Sequence, residues 1–149
     1  MVDSYHSRMY SVVFVVAMLA MCTALREQSY AVKGRLICGA APATNVRVKL
    51  YDTDTDDLLS QGYTDVNGDF YLSGGTTETT MIDPLLIIYH QCNDVTAVGG
   101  LAKPGSRMVS FRLPSKYITN ARLPTKTMDI GVLNLELVYH EEGRVMIVS

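Results

Sequence analysis

Apolar and polar residues alternate with a period of two along most of the chain beyond residue 30. Residues 46–51 (VRVKLY) and 70–73 (FYLS) place an apolar side chain at every second position. Successive side chains of a β-strand point to opposite faces, so this alternation predicts strands with one face against a core. The predicted strands span residues 32–38, 45–52, 59–64, 69–73, 85–92, 107–113 and 129–139.

Glycine, proline, asparagine and aspartate separate these short strands, as they do in all-β proteins with tight turns. We therefore predict an all-β fold, a Greek-key β-sandwich of seven to eight strands. Residues 115–120 are long enough for at most one short helical turn. With 149 residues and 48% hydrophobic content, the chain has the size of a single domain. We place this domain at residues 25–149 and its core at residues 32–139.

The N-terminal residues have a different pattern. Residues 1–8 are polar with one arginine, residues 9–22 form an apolar run (MYSVVFVVAMLAMC), and Thr23 and Ala24 are small. This is the layout of a secretory signal peptide at residues 1–24. A membrane anchor is the alternative, but the run is about 14 residues and a spanning helix needs roughly 20. We expect a secreted, extracellular protein with no transmembrane span after removal of the signal.

Export changes the meaning of the cysteine count. The predicted signal contains Cys22, so the mature chain keeps Cys38 and Cys92. In an oxidising compartment two such thiols are expected to form a disulfide. A bridge that closes a loop of about 55 residues stabilises a fold by roughly 4 kcal/mol on the chain-entropy model.

Residues 52–70 (DTDTDDLLSQGYTDVNGDF) contain six aspartates and look like a calcium-binding loop. An EF-hand needs glycine at position 6 and glutamate at position 12, and neither possible register supplies them. Asn-Gly between two alternating segments is instead a strong signal for a β-hairpin. We predict a hairpin turn at Asp65, Asn67 and Gly68, with a weak surface calcium site as the alternative.

Motifs for metal binding and catalysis are weak in this sequence. His90 and Cys92 are two residues apart on a predicted strand, but an oxidised cysteine lacks the thiolate that a metal needs. The sequence contains neither a Gly-x-Ser-x-Gly elbow nor a Walker-type phosphate loop. We expect no metal, no cofactor and no catalytic residues.

The net charge of −2 hides a separation of charge along the chain. Residues 50–102 contain nine acids and no lysine or arginine, whereas residues 103–126 contain six bases and no acid. If the second segment forms a patch, it could bind phosphates or anionic lipid headgroups. The alternative is that strands from the two segments lie side by side and neutralise one another. The candidate contact residues are Lys103, Arg107, Lys116 and Lys126.

An ordered set of segments resembles the nematode transthyretin-like family of secreted proteins. The resemblance covers residues 32–137 through VKGRLICG, VRVKLYDTDTDDLL, GYTDVNGDFYLSG, IDPLLIIYHQCND, FRLPSKYI and DIGVLNLE. It implies a transthyretin (prealbumin-like) sandwich and agrees with a Cys38–Cys92 bridge. The related hydroxyisourate hydrolases carry active-site histidines and a Tyr-Arg-Gly-Ser ending. The first strand here has no histidine and the chain ends HEEGRVMIVS, so the resemblance implies a protein that is not an enzyme.

The resemblance also implies a function. Some relatives bridge exposed phosphatidylserine to a cell-surface receptor, so we expect an extracellular binding or signalling module that recognises an anionic phospholipid surface or an extracellular protein. Nucleic acid is not an expected partner. The alternatives are a carrier of a small apolar ligand at an oligomer interface, as in vertebrate transthyretin, and a structural component of an extracellular matrix.

Overall fold

The structure is a computed structural model that describes Tyr10, residues 25–96 and residues 99–146. Apart from Tyr10, the predicted signal peptide therefore lies outside the described residues. Among the residues that are described, no helix combines the length and apolar character needed to cross a bilayer.

Within the described residues, the chain forms nine β-strands and one short 3-10 helix. In chain order these are β1 (Arg26–Cys38), β2 (Ala41–Pro42), β3 (Arg47–Asp52), β4 (Asp57–Tyr63), β5 (Asp69–Glu78), β6 (Pro84–His90), β7 (Ser106–Arg112), the 3-10 helix (Ser115–Tyr117), β8 (Met128–Asn134) and β9 (Gly143–Val145). The prediction of an all-β fold with at most one helical turn is confirmed.

The described strands form two sheets. In the first sheet, β1 pairs antiparallel with β2 and β5 and parallel with β8. In the second sheet the order is β4-β3-β6-β7-β9, and every neighbouring pair is antiparallel. Apolar faces of the two sheets meet in one core, which makes the fold the predicted β-sandwich.

The core follows from the alternation seen in the sequence. Val48 and Leu50 on β3 and Leu86 and Ile88 on β6 are completely buried, while the residues between them on β6 are only half-buried. Burial of one such side chain stabilises the fold by about 1.5–3 kcal/mol. These two strands lie inside their sheet, where β3 pairs with β4 and β6 pairs with β7.

Several strand boundaries differ from the predicted ones. β1 begins at Arg26 rather than at residue 32, because residues 26–31 pair with residues 73–78 of β5. β8 ends at Asn134 rather than at residue 139. At this end, the side-chain oxygen of Asn134 accepts hydrogen bonds from the backbone N–H groups of Gly39 and Glu136. The short strands β2 and β9 were not predicted, since two or three residues show no periodicity.

The disulfide between Cys38 and Cys92 is present, with a Cα–Cα distance of 5.7 Å, and it joins the end of β1 to the segment after β6. The β4–β5 connection turns at Asp65, whose carboxylate accepts hydrogen bonds from the N–H groups of Asn67 (2.8 Å) and Asp69 (2.9 Å). Gly68 has a φ of +78°, a backbone conformation that favours glycine. These residues therefore form a hydrogen-bonded turn, but it connects β4 of the second sheet to β5 of the first, and not two strands that pair with each other as in the predicted β-hairpin.

Candidate functional site

The four predicted contact residues do not form one surface patch. Lys103 precedes β7 and Lys116 follows it, and Arg107 lies near its beginning. β7 has seven residues, so its ends are roughly 20 Å apart at a rise of about 3.3 Å per residue. Lys126 lies with Lys116, because its ammonium group donates a hydrogen bond of 3.0 Å to the Lys116 carbonyl. The basic segment is thus divided between the two ends of one strand.

Arg107 is not a surface residue. It is 8% exposed, and its guanidinium forms a two-pronged ion pair with Glu142, with distances of 2.5 and 2.8 Å. It also donates hydrogen bonds to the backbone carbonyls of Cys92 (2.9 Å), Leu135 (3.1 Å) and Leu137 (2.9 Å). An arginine that is buried among its own acceptors cannot reach a membrane or a partner. The structure therefore removes Arg107 from the predicted contact residues.

Lys103 lies in a groove with several acids. The groove has a volume of about 450 Å³, and its lining includes Lys103, Asp94, Glu136 and Glu142. The Asp94 side chain is 2% exposed and pairs with Arg144, and this hydrogen bond holds the pKa of Asp94 below its ordinary value. At this end of β7 the positive and negative charges are matched. This is the neutralised arrangement that the sequence left as an alternative.

The other end of β7 leads into a segment that we call the basic loop, residues 114–127, which connects β7 to β8 and includes the 3-10 helix. It contains Lys116, Arg122 and Lys126 and no acid. All three cations are exposed, and within the described residues none of them forms an ion pair with an acid. The basic loop therefore carries three exposed positive charges, and Glu27 is an acid that lines a groove with one of them, Arg122.

Contacts with β1 hold the basic loop in place. Ile118 and Thr119 are buried, and Thr119 forms two backbone hydrogen bonds with Ser29. The Ser29 hydroxyl also donates to the Ala121 carbonyl at 2.7 Å, and the Thr125 N–H donates to the Thr119 hydroxyl at 3.1 Å. The loop is thus anchored at its centre by buried residues while its charged side chains face solvent.

An exposed leucine lies among these cations. Leu123 is 76% exposed and directly follows Arg122, in a loop whose cations form no ion pair with an acid among the described residues. Peripheral membrane-binding segments combine apolar side chains with lysine and arginine in this way. Sequence reasoning missed both residues, although Arg122 belongs to the acid-free run. On the β1 side of the loop, Glu27 lines one shallow groove with Arg26 and another with Arg122, so this acid lies near both cations.

Metal binding receives no support from the described residues. No three histidine, cysteine, aspartate or glutamate side chains among them come together as a metal site. His90 accepts a hydrogen bond of 3.3 Å from the backbone N–H of Cys92, whose sulfur is in the disulfide. Burial, with a smaller effect of the nearby Arg107, lowers the pKa of His90 to about 4. His90 is therefore a neutral core residue at physiological pH.

The two-sheet topology, with β8 parallel to β1 and a disulfide between the β1 and β6 ends, defines a transthyretin-type β-sandwich. The chain belongs to the transthyretin-like family, whose sequence model matches residues 33–114.

Several transthyretin-like proteins of Caenorhabditis elegans are similar over most of the chain. Transthyretin-like protein 46 is 53% identical over 141 residues, which is 92% of this chain and 76% of the relative. Transthyretin-like protein 33 is 43% identical over 81% of this chain and 83% of its own length. Transthyretin-like protein 5 is 44% identical over 78% and 83%, respectively. Among solved structures, a 9R-lipoxygenase from Cyanothece covers 76% of this chain and 17% of its own, with a TM-score of 0.39 and 21% identity.

Proposed function

We propose that this protein is a secreted, non-enzymatic binding module that recognises anionic phospholipid surfaces, such as membranes with exposed phosphatidylserine, through its basic loop. The observation that carries this proposal is the exposed trio Lys116, Arg122 and Lys126, none of which forms an ion pair with an acid among the described residues, in the same loop as the exposed Leu123. The cations attract anionic headgroups, and Leu123 can enter the boundary between headgroups and acyl chains.

The expected affinity follows from the number of charges. Each lysine or arginine near an anionic membrane contributes about 1 kcal/mol, so three contribute about 3 kcal/mol, a gain of roughly 150-fold over a neutral surface. These interactions fall off within about 8 Å at physiological ionic strength and within about 3 Å at 1 M salt. Binding of a single domain is therefore weak and sensitive to salt, and display of several copies would strengthen it.

Vesicle co-sedimentation tests this proposal. The wild-type protein should sediment with vesicles of phosphatidylcholine and phosphatidylserine, should not sediment with phosphatidylcholine alone, and should be released at high salt. Lys116→Gln combined with Lys126→Gln removes two exposed charges and should weaken binding by roughly 30-fold. Lys103→Gln is the matched control, because it removes the same charge at the opposite end of β7, among acids. Equal sedimentation with both vesicle types, or an equal effect of the control, would contradict the proposal.

Secretion has separate support. Disulfides form and persist mainly outside the cytosol, and the chain has one between Cys38 and Cys92. The layout of residues 1–24 is that of a signal peptide. Expression of the full chain in a eukaryotic host tests both points. The protein should appear in the medium with an N-terminus near Leu25, and retention in the membrane fraction with an uncleaved N-terminus would contradict this part of the proposal.

A further inference from the structure

Two acidic side chains are buried together at one end of the sandwich. Asp52, at the end of β3, is completely buried, and Glu78, at the end of β5, is 9% exposed. Both carboxyl groups contact the turn between β3 and β4, Asp52 at the Asp54 N–H and Glu78 at the Thr55 hydroxyl, and the negative charge of Asp52 acts on Glu78. One oxygen of each, Oδ2 of Asp52 and Oε2 of Glu78, is buried and has no hydrogen-bond partner among the described residues. A buried polar atom without a partner is uncommon in a native protein and calls for a physical explanation.

The other oxygen of each carboxyl group is fully engaged. Oδ1 of Asp52 accepts hydrogen bonds from the N–H groups of Asp83 (2.8 Å) and Asp54 (3.2 Å). Oε1 of Glu78 accepts one from the Thr55 hydroxyl at 2.9 Å. Through these bonds the pair connects the turn between β3 and β4, the end of β5 and the segment before β6. The two carboxyl groups therefore form a joint among three parts of the fold.

The groups that face this pair supply no compensating positive charge. Asp57 at the start of β4 adds a negative charge nearby. Arg26 is opposite Glu78 in the β1–β5 ladder, but within the described residues neither Asp52 nor Glu78 forms an ion pair with a base. The carboxylate of Asp83 is occupied by Thr53 and by Arg112. Ionisation of both carboxyl groups side by side in a desolvated site is unfavourable, so the first proton is held more tightly than by an isolated carboxylate.

A proton explains the unpartnered oxygens better than a metal ion. Calcium takes six to eight oxygen ligands, whereas this pair offers only two free carboxylate oxygens. The part of the chain that the structure describes also brings no three acidic, histidine or cysteine side chains together as a metal site. One proton between the two carboxyl groups gives both unpartnered oxygens a hydrogen bond and removes one of the two charges.

We infer that Asp52 and Glu78 share one proton below the pH at which Glu78 ionises and form a pH-sensitive joint, which releases the β3–β4 turn (residues 53–56) as the pH rises. Loss of the proton places two negative charges side by side and repels the end of β5 from the turn. Asp83, which the joint holds through its N–H, also pairs with Arg112 at the end of β7. The joint therefore lies next to the strand from which the basic loop departs, although it does not depend on the lipid-binding role of that loop.

The direction of the pH effect follows from linkage. Burial, and then the negative charges of Asp52 and Asp57, raise the pKa of Glu78 above its ordinary value of 4.5, while the Thr55 hydrogen bond opposes this. The folded protein therefore binds more protons than the unfolded chain in the range above 4.5. The stabilisation is fully present below pH 4.5, and it is lost as the pH rises through the pKa of the folded state. Carboxyl groups with lowered pKa values, such as Asp94 and Glu142, act in the opposite direction at low pH.

A comparison of the wild type with Glu78→Gln isolates the effect of the Glu78 proton on stability. A glutamine donates a permanent hydrogen bond to Asp52 and so imitates the shared proton at every pH. Between pH 5 and pH 9, the melting temperature of the wild type should fall relative to that of Glu78→Gln, by about 5 °C. Glu136→Gln is the control, because it removes an exposed acid, and its difference from the wild type should not vary over this range. A difference between wild type and Glu78→Gln that is constant with pH would overturn the inference.

Two measurements on the wild-type protein keep the test independent of whether the variant folds well. The carboxyl ¹³C resonance of Glu78 should titrate above its ordinary pH. Once this titration is complete, amides of residues 53–57 should exchange with solvent at least 10-fold faster, after correction for intrinsic rates. A Glu78 resonance that titrates at its ordinary pH would overturn the inference. A rise in melting temperature on addition of calcium chloride at pH 8, absent in Glu78→Gln, would replace the proton with a cation and would also overturn it.

Discussion

Replacement of Arg107 by methionine should destabilise this fold much more than replacement of any exposed cation. Arg107 is 8% exposed and donates to the backbone carbonyls of Cys92, Leu135 and Leu137 as well as to Glu142. It therefore connects the disulfide region, the end of β8 and the segment before β9. Methionine keeps much of the volume and removes every one of these hydrogen bonds.

The magnitude follows from the group that is left behind. Hydrogen bonding from Arg107 holds the pKa of Glu142 below its ordinary value, which shows that the carboxylate depends on this partner. The Glu142 side chain is 13% exposed, so without Arg107 its charge is desolvated and unpaired. Removal of one partner from a buried ion pair typically costs about 3–5 kcal/mol. The three carbonyls that lose their donor add to this cost.

Arg112→Met is the matched control, because Arg112 lies on the same strand and also pairs with an acid. Its side chain is 70% exposed, and exposed ion pairs contribute at most about 1 kcal/mol. Urea denaturation followed by circular dichroism gives the free energy of unfolding of each variant, provided that its slope against urea concentration is unchanged. Similar losses for the two variants would refute the argument that burial of the Arg107–Glu142 pair determines its importance.

Three other predictions concern stability. Replacement of both Cys38 and Cys92 by alanine should lower the free energy of unfolding by about 4 kcal/mol in urea titrations, and an unchanged value would show that the bridge does not constrain the unfolded chain. Gly68→Ala should cost about 2 kcal/mol, because its backbone has a positive φ and a Cβ there would lie 2.2 Å from the Leu36 carbonyl oxygen. The pKa of Glu142 is depressed in the folded state, so the stability it provides is present above its ordinary pKa of 4.5 and is lost as the pH falls through the folded value. The advantage of wild type over Glu142→Gln should therefore be large at pH 7 and small at pH 3, and an equal advantage at both would contradict the assignment.

Local patterns predicted much of this fold. The alternation in β3 predicted the buried Val48 and Leu50, although Lys49 between them is buried as well, and the cysteine count after signal removal predicted the Cys38–Cys92 pair. The start of β1 was missed because residues 28–32 are all buried and show no alternation. The side chains of Gln28 and Ser29 there are satisfied by backbone groups of Thr80 and Ala121, which are distant in sequence.

The candidate site was predicted less well than the fold. The acid-free run correctly included Lys116 and Lys126 as exposed cations, but it also included Arg107, whose partner Glu142 is 35 residues further along the chain. Charge patterns along a sequence do not show which cations meet an acid after folding. The same limitation hid the acids that share a groove with each cation, which include Glu136 and Glu142 beside Lys103 and Glu27 beside Arg122.

Recognition of anionic membranes by the basic loop is tested most directly by a residue-by-residue NMR map of the membrane contact, with nanodiscs that contain phosphatidylserine and nanodiscs of phosphatidylcholine alone. Anionic nanodiscs should broaden the lines of residues 114–127, with the largest effects at Lys116, Leu123 and Lys126, and broadening should be absent at Lys103 and with the neutral nanodiscs. Broadening centred on Lys103 and its groove, or equal broadening with both kinds of nanodisc, would contradict the claim that the basic loop recognises anionic membranes.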